Sequence, residues 1–345
     1  LNRWIKKEGY RVRFFNCLHQ YDSILSASFG QWMAQHATDY DVVHTHNVFA
    51  PTMAIARWIC KKKGVPYITT PHGMLEPWAL SYKASKKRLY YKHFEVPTLT
   101  TANAIHVLNQ KEEENIHALG FSQTKIIHNG IHRSEFSQIS DPEVFYNTFP
   151  ETRSKKIILF LGRIDPKKGL DLLAPAFAKA RQQFPNTHLV LAGPDSTNFL
   201  PTAQAYFAQA NCSAAITFTG MLSGALKSSA LAAASAYVAP SYSEGFSMSI
   251  LEGMATGLPC IITQACNFPE AATAKAACVV EVDSDAIAAA LCQVLNHPSQ
   301  SQAMGDRAQQ LVFQHYTWDC AAEKLIQLYQ AIATSTSVLS PLAVR

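Results

Sequence analysis

Two basic residues lie in a glycine-bounded loop near the middle of the chain. The segment Leu159–Gly169 reads Leu-Phe-Leu-Gly-Arg-Ile-Asp-Pro-Lys-Lys-Gly and continues an apolar run typical of a buried strand. It carries Gly162, Arg163 and Lys168, and a helical pattern begins directly after it. Glycine lets a ligand approach the backbone, a helix N-terminus attracts phosphate, and Arg and Lys bind phosphate oxygens. The segment therefore predicts a diphosphate site, with a solvated basic loop as the alternative.

A second segment places two carboxylates around the start of another helix. Glu244 and Glu252 lie within Ala239–Ala255, eight residues apart. Between the first acid and the helix lie Gly245, Phe246, Ser247 and Met248. Carboxylates accept hydrogen bonds from sugar hydroxyls, and the amides of a helix N-terminus bind anionic oxygens. The pattern predicts a site for a sugar and a ribose, with helix-dipole stabilisation by Glu252 as the alternative.

Histidines follow predicted strands of the N-terminal half. His72 lies in Thr70–Ala79 beside a glycine, and His44 and His46 end the preceding predicted strand. Strand ends of parallel sheets are where ligands bind, and a histidine ring there can hydrogen-bond a sugar hydroxyl. We expect His72 at the site and His44 and His46 on the acceptor side, with packing roles as alternatives.

The sequence Asp283-Ser-Asp285 spells D-x-D, a pattern whose two carboxylates bind a metal ion in some enzymes. It directly precedes an alanine-rich helix, so we interpret it as a helix N-cap. No metal or other cofactor is expected, because Arg163, Lys168 and helix dipoles can neutralise a diphosphate.

Apolar runs alternate with helical stretches, which predicts parallel βαβ units in two doubly wound domains. The predicted strands are 10–15, 41–45, 66–70, 104–108, 125–128, 156–161, 188–192, 216–219, 236–239, 259–263 and 278–282. The predicted helices are 23–36, 52–63, 82–94, 110–119, 170–183, 224–234, 249–256 and 285–295. The predicted domains are an N-terminal domain at 1–140, a linker at 141–154, a C-terminal domain at 155–315, and a helix and tail at 316–345 crossing back to the N-terminal domain.

The two motif segments, in this order in one domain, resemble the retaining glycosyltransferases of family 4. Arg163 and Lys168 match the G-R-x4-K-G diphosphate site of that family, and Glu244 and Glu252 match its E-x7-E signature. The resemblance extends over nearly the whole chain. It also includes Asp41–His46, His128–Ile131, Ala192–Asp195, Phe218–Gly220 and Tyr316–Trp318.

This resemblance implies a GT-B fold, in which two Rossmann-like domains face a central cleft. It implies transfer of a sugar from a nucleotide diphosphate sugar to the hydroxyl of a saccharide or lipid-linked acceptor, with retention. By the resemblance, Glu244 contacts the donor sugar, Glu252 the ribose, and His72 lies near the reacting sugar. The implied process is synthesis of cell-surface polysaccharide, lipopolysaccharide or glycolipid, and nucleic acid is not expected as a partner.

Other functions remain open at this point. A GT-B nucleotide-sugar epimerase or phosphorylase shares the fold, and a basic binding protein shares the charge. An NAD-dependent oxidoreductase is disfavoured because no G-x-G-x-x-G follows a strand.

The composition is that of a globular protein kept in a reducing compartment. The chain has 345 residues, 48% of them hydrophobic, enough for two domains with substantial cores. Its eight cysteines form no C-x-x-C pair, which favours reduced thiols and a cytoplasmic location.

The net charge of +5 belongs to the N-terminal half, where residues 1–150 hold 17 Lys and Arg against 12 Asp and Glu. The stretch Tyr82–His93 holds five cations and no acid, with Trp78 nearby. A basic surface suggests a polyanionic partner, which composition leaves open between nucleic acid, phospholipid and a phosphorylated acceptor. The five cations beside Trp78 suggest docking to an anionic membrane surface or a lipid-diphosphate acceptor, with a solvated basic helix as the alternative.

The first residues suggest that the N-terminal domain lacks its first strand. Leu1–Glu8 has the character of a helix that Gly9 ends, and Tyr10–Phe15 would then be the second strand. We therefore expect roughly 20–30 further residues upstream, the size of a strand, turn and partial helix.

Overall fold

The structure is a computed structural model that describes residues 3–20, 23–81, 88–137 and 140–338. The chain folds into two compact units. Unit 1 comprises Leu1–His128 and Ala322–Arg345, and unit 2 comprises Asn129–Ala321. Each unit contains a parallel sheet joined by helices, which confirms the predicted fold class of two α/β domains.

Unit 1 is built on a parallel sheet of four strands in the order β5-β6-β7-β8. Its strands and α-helices are β1 Trp4–Lys7, β2 Tyr10–Arg13, β3 Leu18–Gln20, β4 Ser23–Leu25, α1 Ala27–His36, β5 Val43–His46, α2 Pro51–Lys63, β6 Tyr67–Thr70, α3 Pro77–Ser81, α4 Val96–Leu99, β7 Ala104–Val107, α5 Gln110–Ala118 and β8 Thr124–Ile126. A π-helical turn, Tyr91–Glu95, leads into α4. The carboxyl ends of β5 and β6 carry His46 and Thr70, so the predicted histidines lie at this edge.

Unit 2 is built on a parallel sheet of six strands in the order β11-β10-β9-β12-β13-β14. Its strands and α-helices are α6 Glu143–Thr148, β9 Lys156–Leu161, α7 Leu170–Gln183, β10 Thr187–Ala192, α8 Leu200–Gln209, β11 Ile216–Gly220, α9 Gly224–Ala233, β12 Ala234–Ala239, α10 Met248–Ala255, β13 Cys260–Thr263, α11 Pro269–Thr273, β14 Cys278–Val280, α12 Ser284–Asn296 and α13 Pro298–His315. The last helix, α14 Trp318–Val338, begins in unit 2, and its residues from Ala322 onward belong to unit 1.

The strand order of unit 2 reverses between β9 and β12. From β9 the chain builds outward through β10 and β11, and then returns to add β12, β13 and β14 on the other side. Side chains of β9 alternate between the cores on the two faces of the sheet, with Ile157 and Leu159 on one and Ile158 and Phe160 on the other. In doubly wound sheets ligands bind at the carboxyl ends of the strands where the order reverses.

The prediction that the first residues form the end of a helix, followed by the second strand of the parallel sheet, is wrong. Trp4–Lys7 is a strand, not the end of a helix, and it pairs antiparallel with Tyr10–Arg13 across a turn at Gly9. Tyr10–Arg13 therefore belongs to a hairpin and not to the parallel sheet. Gly9 takes a left-handed conformation with φ of +77° that suits a hairpin turn.

The segment predicted as a linker contains packed helical structure. Residues Glu143–Thr148 form α6, and Pro150–Thr152 form a 3₁₀ turn. Phe145 is fully buried in the core of unit 2, and its amide donates to the hydroxyl of Ser229 over 2.8 Å. The helix is only six residues long, too short for a periodic apolar pattern to show.

The predicted helix 82–94 is only partly described. Residues 82–87 lie outside the described residues, and the described part continues as the π-helical turn Tyr91–Glu95. The start of the predicted helix 23–36 is wrong, because Ser23–Leu25 forms strand β4 and α1 begins at Ala27. Elsewhere the predicted strands and helices of the two sheets are present, with ends shifted by a few residues.

Candidate functional site

The loop after β9 carries the predicted phosphate ligands at the point where the strand order reverses. Gly162 follows the strand, and its amide donates to the carbonyl of Ala192 over 2.9 Å. Arg163 is exposed directly after it. Pro166–Lys168 then forms a 3₁₀ turn that leads into α7. A charged loop is thus held between a buried strand and the N-terminus of a long helix.

Gly169 fixes this loop against the end of β12. Its φ is +66°, and a Cβ atom there would lie 1.9 Å from the carbonyl oxygen of Pro240. The carbonyl of Lys167 also accepts from the amide of Tyr242 over 2.8 Å. Only glycine fits at this position, because both the backbone conformation and the space exclude a side chain. The loops that follow β9 and β12 are therefore joined.

Lys168 and Glu244 meet at this junction. Nζ of Lys168 lies 2.6 Å from Oε1 of Glu244, and Oγ of Ser241 donates to the same oxygen over 2.6 Å. The side chains of the ion pair are only 15% and 11% exposed. The backbone of Glu244 is held as well, because its amide donates to Ala265 and its carbonyl accepts from Asn267. The structure therefore brings together two residues that lie far apart in the sequence.

The hydrogen bonds to the Glu244 side chain all use Oε1. Within the described chain Oε2 has no hydrogen-bond partner, so it can accept from a hydroxyl of a ligand. The ammonium of Lys168 keeps two further protons for an anionic ligand. Ser241, fully buried, was not among the predicted site residues, although it lies in the segment that contains Glu244. Its position three residues before the acid is the signal that could have found it.

The loop between Glu244 and α10 leads to an uncapped helix N-terminus. Ser247 is the N-cap residue, yet its side chain makes no capping hydrogen bond. The amide of Met248, in the first turn, has no carbonyl partner four residues before it, and such amides can bind anionic oxygens. Phe246 is a packing residue, because its ring stacks on Tyr316 with centroids 6.1 Å apart. Gly245 lies between the acid and this aromatic contact.

Glu252 lies on the second turn of α10 and is paired with a lysine that the sequence reasoning missed. Nζ of Lys227 lies 2.8 Å from Oε1 of Glu252, and both side chains are partly buried. Lys227 is the only cation of α9, the helix between β11 and β12. A single cation in an alanine-rich and serine-rich helix is a weak signal, and its partner could not be assigned without the fold.

Asp283 caps a helix, as predicted. Its side chain accepts from the amides of Asp285 and Ala286 over 2.9 and 3.0 Å. Asp285 pairs with Lys179 at 3.1 Å on an exposed face. Both carboxylates are therefore used in the structure of α12.

The predicted histidines of unit 1 lie side by side. The rings of His44 and His46 stack with centroids 4.4 Å apart, and those of His46 and His72 with centroids 5.3 Å apart. Nδ1 of His46 lies 3.0 Å from Nε2 of His72, so one ring donates to the other. Burial lowers the pKa of His46, and burial followed by the charge of His46 lowers the pKa of His72. Both rings are therefore neutral near pH 7 and able to donate or accept.

His44 belongs to a hydrogen-bond chain whose direction is fixed at one end. Nε2 of His106 lies 2.7 Å from the carbonyl of Ile127, which only accepts, so this nitrogen carries the proton. Thr70 must then donate to Nδ1 of His106, and it accepts from Nε2 of His44. Nδ1 of His44 finally accepts from the hydroxyl of Tyr329, on α14, over 2.7 Å. Both ring nitrogens of His44 are occupied, which leaves none for an acceptor.

Burial is the main cause of the low pKa values of the two histidines in this hydrogen-bond chain, His44 and His106. It lowers the pKa of His44 to about 3, with His46, His106 and His72 adding to the effect. It lowers the pKa of His106 to about 4, against the hydrogen bond to Ile127. The hydrogen-bond directions derived above require neutral rings, in agreement with these values.

His72 is held in a strained conformation at the end of β6. Its φ is +54°, an uncommon value for a residue with a side chain. The amide of the next residue, Gly73, donates to Oε1 of Glu112 over 2.6 Å. Glu112 is buried and also accepts from the amide of Leu108. Such strain persists where surrounding contacts fix it, and it clusters at functional sites.

Family models cover most of the chain. The model described as glycosyl transferases group 1 matches residues 147–311, and the model described as glycosyltransferase family 4 matches residues 2–135. A phosphatidyl-myo-inositol mannosyltransferase of Mycobacterium tuberculosis is 26% identical over 312 residues, or 88% of this chain and 77% of that protein.

Solved structures of glycosyltransferases share the fold. A sucrose-phosphate synthase from Thermosynechococcus elongatus matches with a TM-score of 0.71 at 22% identity, over 89% of this chain and 77% of the other. HepE of Anabaena, solved in complex with UDP-glucose, matches with a TM-score of 0.71 at 18% identity, over 90% of this chain and 82% of the other.

Proposed function

This chain belongs to the glycosyltransferases of group 1 and family 4, and we propose that it moves a hexosyl group from a nucleoside diphosphate sugar to an acceptor hydroxyl with retention. The single observation that carries the proposal is the contact of Lys168 with Glu244 at the strand ends where the sheet order reverses. A cation for a diphosphate and a carboxylate for a sugar hydroxyl lie there within hydrogen-bond distance of each other.

Arg163 and Lys168 are proposed to bind the diphosphate. The guanidinium of Arg163 is exposed after β9, and Lys168 precedes the N-terminus of α7. Negative charge on the diphosphate grows as the glycosidic bond breaks, so fixed cations stabilise the transition state more than the ground state. These cations and the helix N-termini would take the place of a metal ion, which we propose is not needed.

The carboxylates are proposed to bind the two sugars of the donor. Glu244 would accept from a hydroxyl of the transferred sugar through Oε2, and Glu252 would accept from the ribose. The pairing of Glu252 with Lys227 supports this role, because it holds the carboxylate in one orientation before the donor binds. The amides at Ser247 and Met248 would face anionic oxygens.

Retention is proposed to follow from attack on the face that the diphosphate leaves. The bond between the anomeric carbon and the phosphate oxygen breaks, and its electron pair stays on the diphosphate. The acceptor oxygen forms the new bond on the same face, and its proton passes to a phosphate oxygen. This course needs no nucleophilic carboxylate.

In unit 1, His72 and His46 are proposed to contact the substrates. Their rings are neutral, partly exposed and linked to each other, so each keeps a nitrogen for a hydroxyl. His72 is proposed near the reacting sugar and His46 on the acceptor side. His44 is proposed to support them, because both of its nitrogens are hydrogen-bonded within unit 1.

The acceptor is proposed to be a saccharide or a lipid-linked saccharide used for cell-surface polysaccharide or glycolipid. The mycobacterial relative is named a phosphatidyl-myo-inositol mannosyltransferase, and this name supports a glycolipid. We propose a cytoplasmic location with peripheral attachment to the inner face of the membrane. Among the described residues, none of the helices combines the length and the apolar character needed to cross a bilayer.

A donor panel tests the proposal. The purified chain is incubated with nucleoside diphosphate sugars that differ in base and sugar, with and without lipid extract, and release of nucleoside diphosphate is measured. Release that depends on one donor class and on the extract is expected. No release from any donor would contradict the proposal, and isomerised donor without release would indicate an epimerase. The anomeric proton coupling of the product, measured by NMR, tests retention.

A further inference from the structure

Tyr242 connects the two loops that carry Lys168 and Glu244. It lies in the loop after β12, two residues before Glu244, and its hydroxyl donates to Oδ2 of Asp171 over 2.6 Å. Asp171 belongs to the first turn of α7, directly after the loop that follows β9. The amide of Tyr242 also donates to the carbonyl of Lys167 over 2.8 Å. One tyrosine therefore holds residues on both sides of Lys168.

The hydrogen bond to Asp171 differs from the ion pair of Lys168 and Glu244 in what a donor would do to it. Nζ of Lys168 and Oε1 of Glu244 contact each other at 2.6 Å, and a diphosphate and a sugar would compete for these charged groups. The bond between Tyr242 and Asp171 uses other atoms, so it can remain while a donor occupies the pair. It is therefore suited to keep the two loops together throughout turnover.

The hydroxyl of Tyr242 keeps its proton at neutral pH and so stays a hydrogen-bond donor. Desolvation raises the pKa of Tyr242 to about 12, and the hydrogen bond to Asp171 and the charge of that residue add to the effect. The side chain is nevertheless 43% exposed, and it belongs to neither of the two described cores of unit 2. Its ring gains little free energy from burial, so it contributes little to the stability of the fold.

We propose that Tyr242 is a positioning residue, which holds Lys168 and Glu244 at the spacing that the donor requires before the donor binds. The inference rests on the proposed function, because these two residues are assigned to the donor there. Without the hydroxyl, the loops after β9 and β12 would move more freely in the unbound chain. Part of the binding energy of the donor would then be spent on ordering them. The donor would bind more weakly, but once bound it would restore the same arrangement.

The simplest alternative is a surface hydrogen bond that has no role in donor binding. Water competes for both groups at an exposed position, and many contacts of this kind contribute nothing measurable. The packing of Gly169 against Pro240 would then join the loops by itself. A second alternative is that Asp171 acts alone, as a first-turn acid that stabilises the dipole of α7.

The variant Tyr242→Phe tests the proposal, because it removes only the hydroxyl. Binding of UDP, GDP and ADP is measured by calorimetry, and KM and kcat are measured with the donor that the donor panel identifies. We expect the Kd of the nucleoside diphosphate and the KM of the donor to rise about tenfold, as for the loss of one partly exposed hydrogen bond to a charged group. We expect kcat to stay within about twofold of the wild type, because the loss falls on binding and not on the bound state.

Variants of Asp171 separate the hydrogen bond from the charge. Asp171→Ala removes both the charge and the acceptor, and it should weaken binding as much as Tyr242→Phe does. Asp171→Asn removes the charge but keeps an acceptor oxygen, so its affinity should stay within about threefold of the wild type. The double variant Tyr242→Phe with Asp171→Ala should lose no more affinity than either single variant, because each of them removes the same interaction.

Tyr146→Phe is the matched control. Tyr146 lies on α6 of unit 2, and the guanidinium carbon of Arg153 lies 5.4 Å from the centre of its ring. Removal of its hydroxyl should leave Kd, KM and kcat at their wild-type values. Thermal unfolding followed by circular dichroism verifies that each variant is folded.

Several results for the variants would overturn the proposal. One is a Tyr242→Phe variant whose Kd and KM stay within about twofold of the control. Another is a double variant in which the two losses add, since Tyr242 and Asp171 would then act separately. Equal losses in Asp171→Asn and Asp171→Ala would assign the effect to the charge. A loss of affinity that follows a lower melting temperature would assign Tyr242 to the stability of the fold alone.

The wild type distinguishes failure of this inference from failure of the proposed function. A wild type that binds no nucleoside diphosphate and releases none from any donor contradicts the proposed function, and this inference with it. A wild type that binds and transfers, beside a Tyr242→Phe variant that does so equally well, overturns this inference alone.

Discussion

Replacing Lys168 with alanine removes the cation at the centre of the proposed donor site. Its ammonium lies 2.6 Å from Oε1 of Glu244, in a pair whose side chains are only 15% and 11% exposed. A charged contact of this kind, fixed before the reaction, is worth about 2.7–4 kcal/mol in the transition state. We therefore expect Lys168→Ala to lower kcat/KM by about 100-fold to 1000-fold.

The fold should survive this change. Ser241 still donates to Glu244, and the backbone of Glu244 keeps its bonds to Ala265 and Asn267. Both side chains retain some contact with water, so the free energy of unfolding should fall by about 1 kcal/mol or less. Thermal unfolding and release of nucleoside diphosphate are measured on the same preparation.

Lys179→Ala is the matched control. It removes the same charge from an exposed ion pair of unit 2, with Asp285, where the expected effect is small. A Lys168→Ala variant that keeps kcat/KM within about threefold of the control would contradict this role for Lys168. A loss of activity that follows a loss of folded protein would contradict it as well.

Further predictions concern the acid at the site and the two buried networks of unit 1. Glu244→Gln, measured by release of nucleoside diphosphate, should lower turnover at least about 100-fold. A folded variant with wild-type turnover would remove Glu244 from the site. Glu95→Ala leaves the buried Arg57 unpaired and should cost about 3–5 kcal/mol in urea unfolding, whereas a cost under about 1 kcal/mol would show that the pair is not buried in solution. His44 and His106 have pKa values of about 3 and 4 in the folded chain, below the usual 6.5. Between these folded values and pH 6.5 the unfolded chain therefore binds more protons than the folded chain. The free energy of unfolding should therefore keep its full value above pH 6.5. Below pH 6.5 it should fall, and at pH 5 the loss should be about 2 kcal/mol for each histidine. His106→Gln should make this fall less steep than in the wild type, and an unchanged slope would contradict the assignment.

The residues of the proposed donor site could be named from the sequence because their signals are local. Arg163 and Lys168 follow one buried strand, and Glu244 follows another. The carboxyl ends of parallel strands meet at one edge, so residues at two strand ends come together once the strand order is correct. The contact between Lys168 and Glu244 was not itself predicted, because it also depends on β9 and β12 being neighbours in the sheet.

The partners of these residues could not be predicted in the same way. Lys227 reaches Glu252 from a neighbouring helix, and Tyr329 reaches His44 from the last helix of the chain. Side-chain contacts between helices depend on the rotation and position of each helix, which periodicity does not define. For the same reason, the sequence could not show that both ring nitrogens of His44 are hydrogen-bonded within unit 1.

The errors in the predicted secondary structure lie in short segments. Trp4–Lys7 is a strand of four residues, and Glu143–Thr148 is a helix of six. Over such lengths apolar residues do not distinguish a period of 2 from one of 3.6. Tertiary contacts accompany both elements, since the ring of Trp4 packs edge-on against Trp32 of α1 and Phe145 is buried in the core of unit 2.

A crystal structure of the full chain with its nucleoside diphosphate, identified by the donor panel, tests the central claim most directly. We expect phosphate oxygens within hydrogen-bond distance of Arg163 and of Nζ of Lys168, with the ribose hydroxyls on Glu252. Density for the nucleotide at any other place, with the pair of Lys168 and Glu244 undisturbed and no phosphate beside it, would contradict the account.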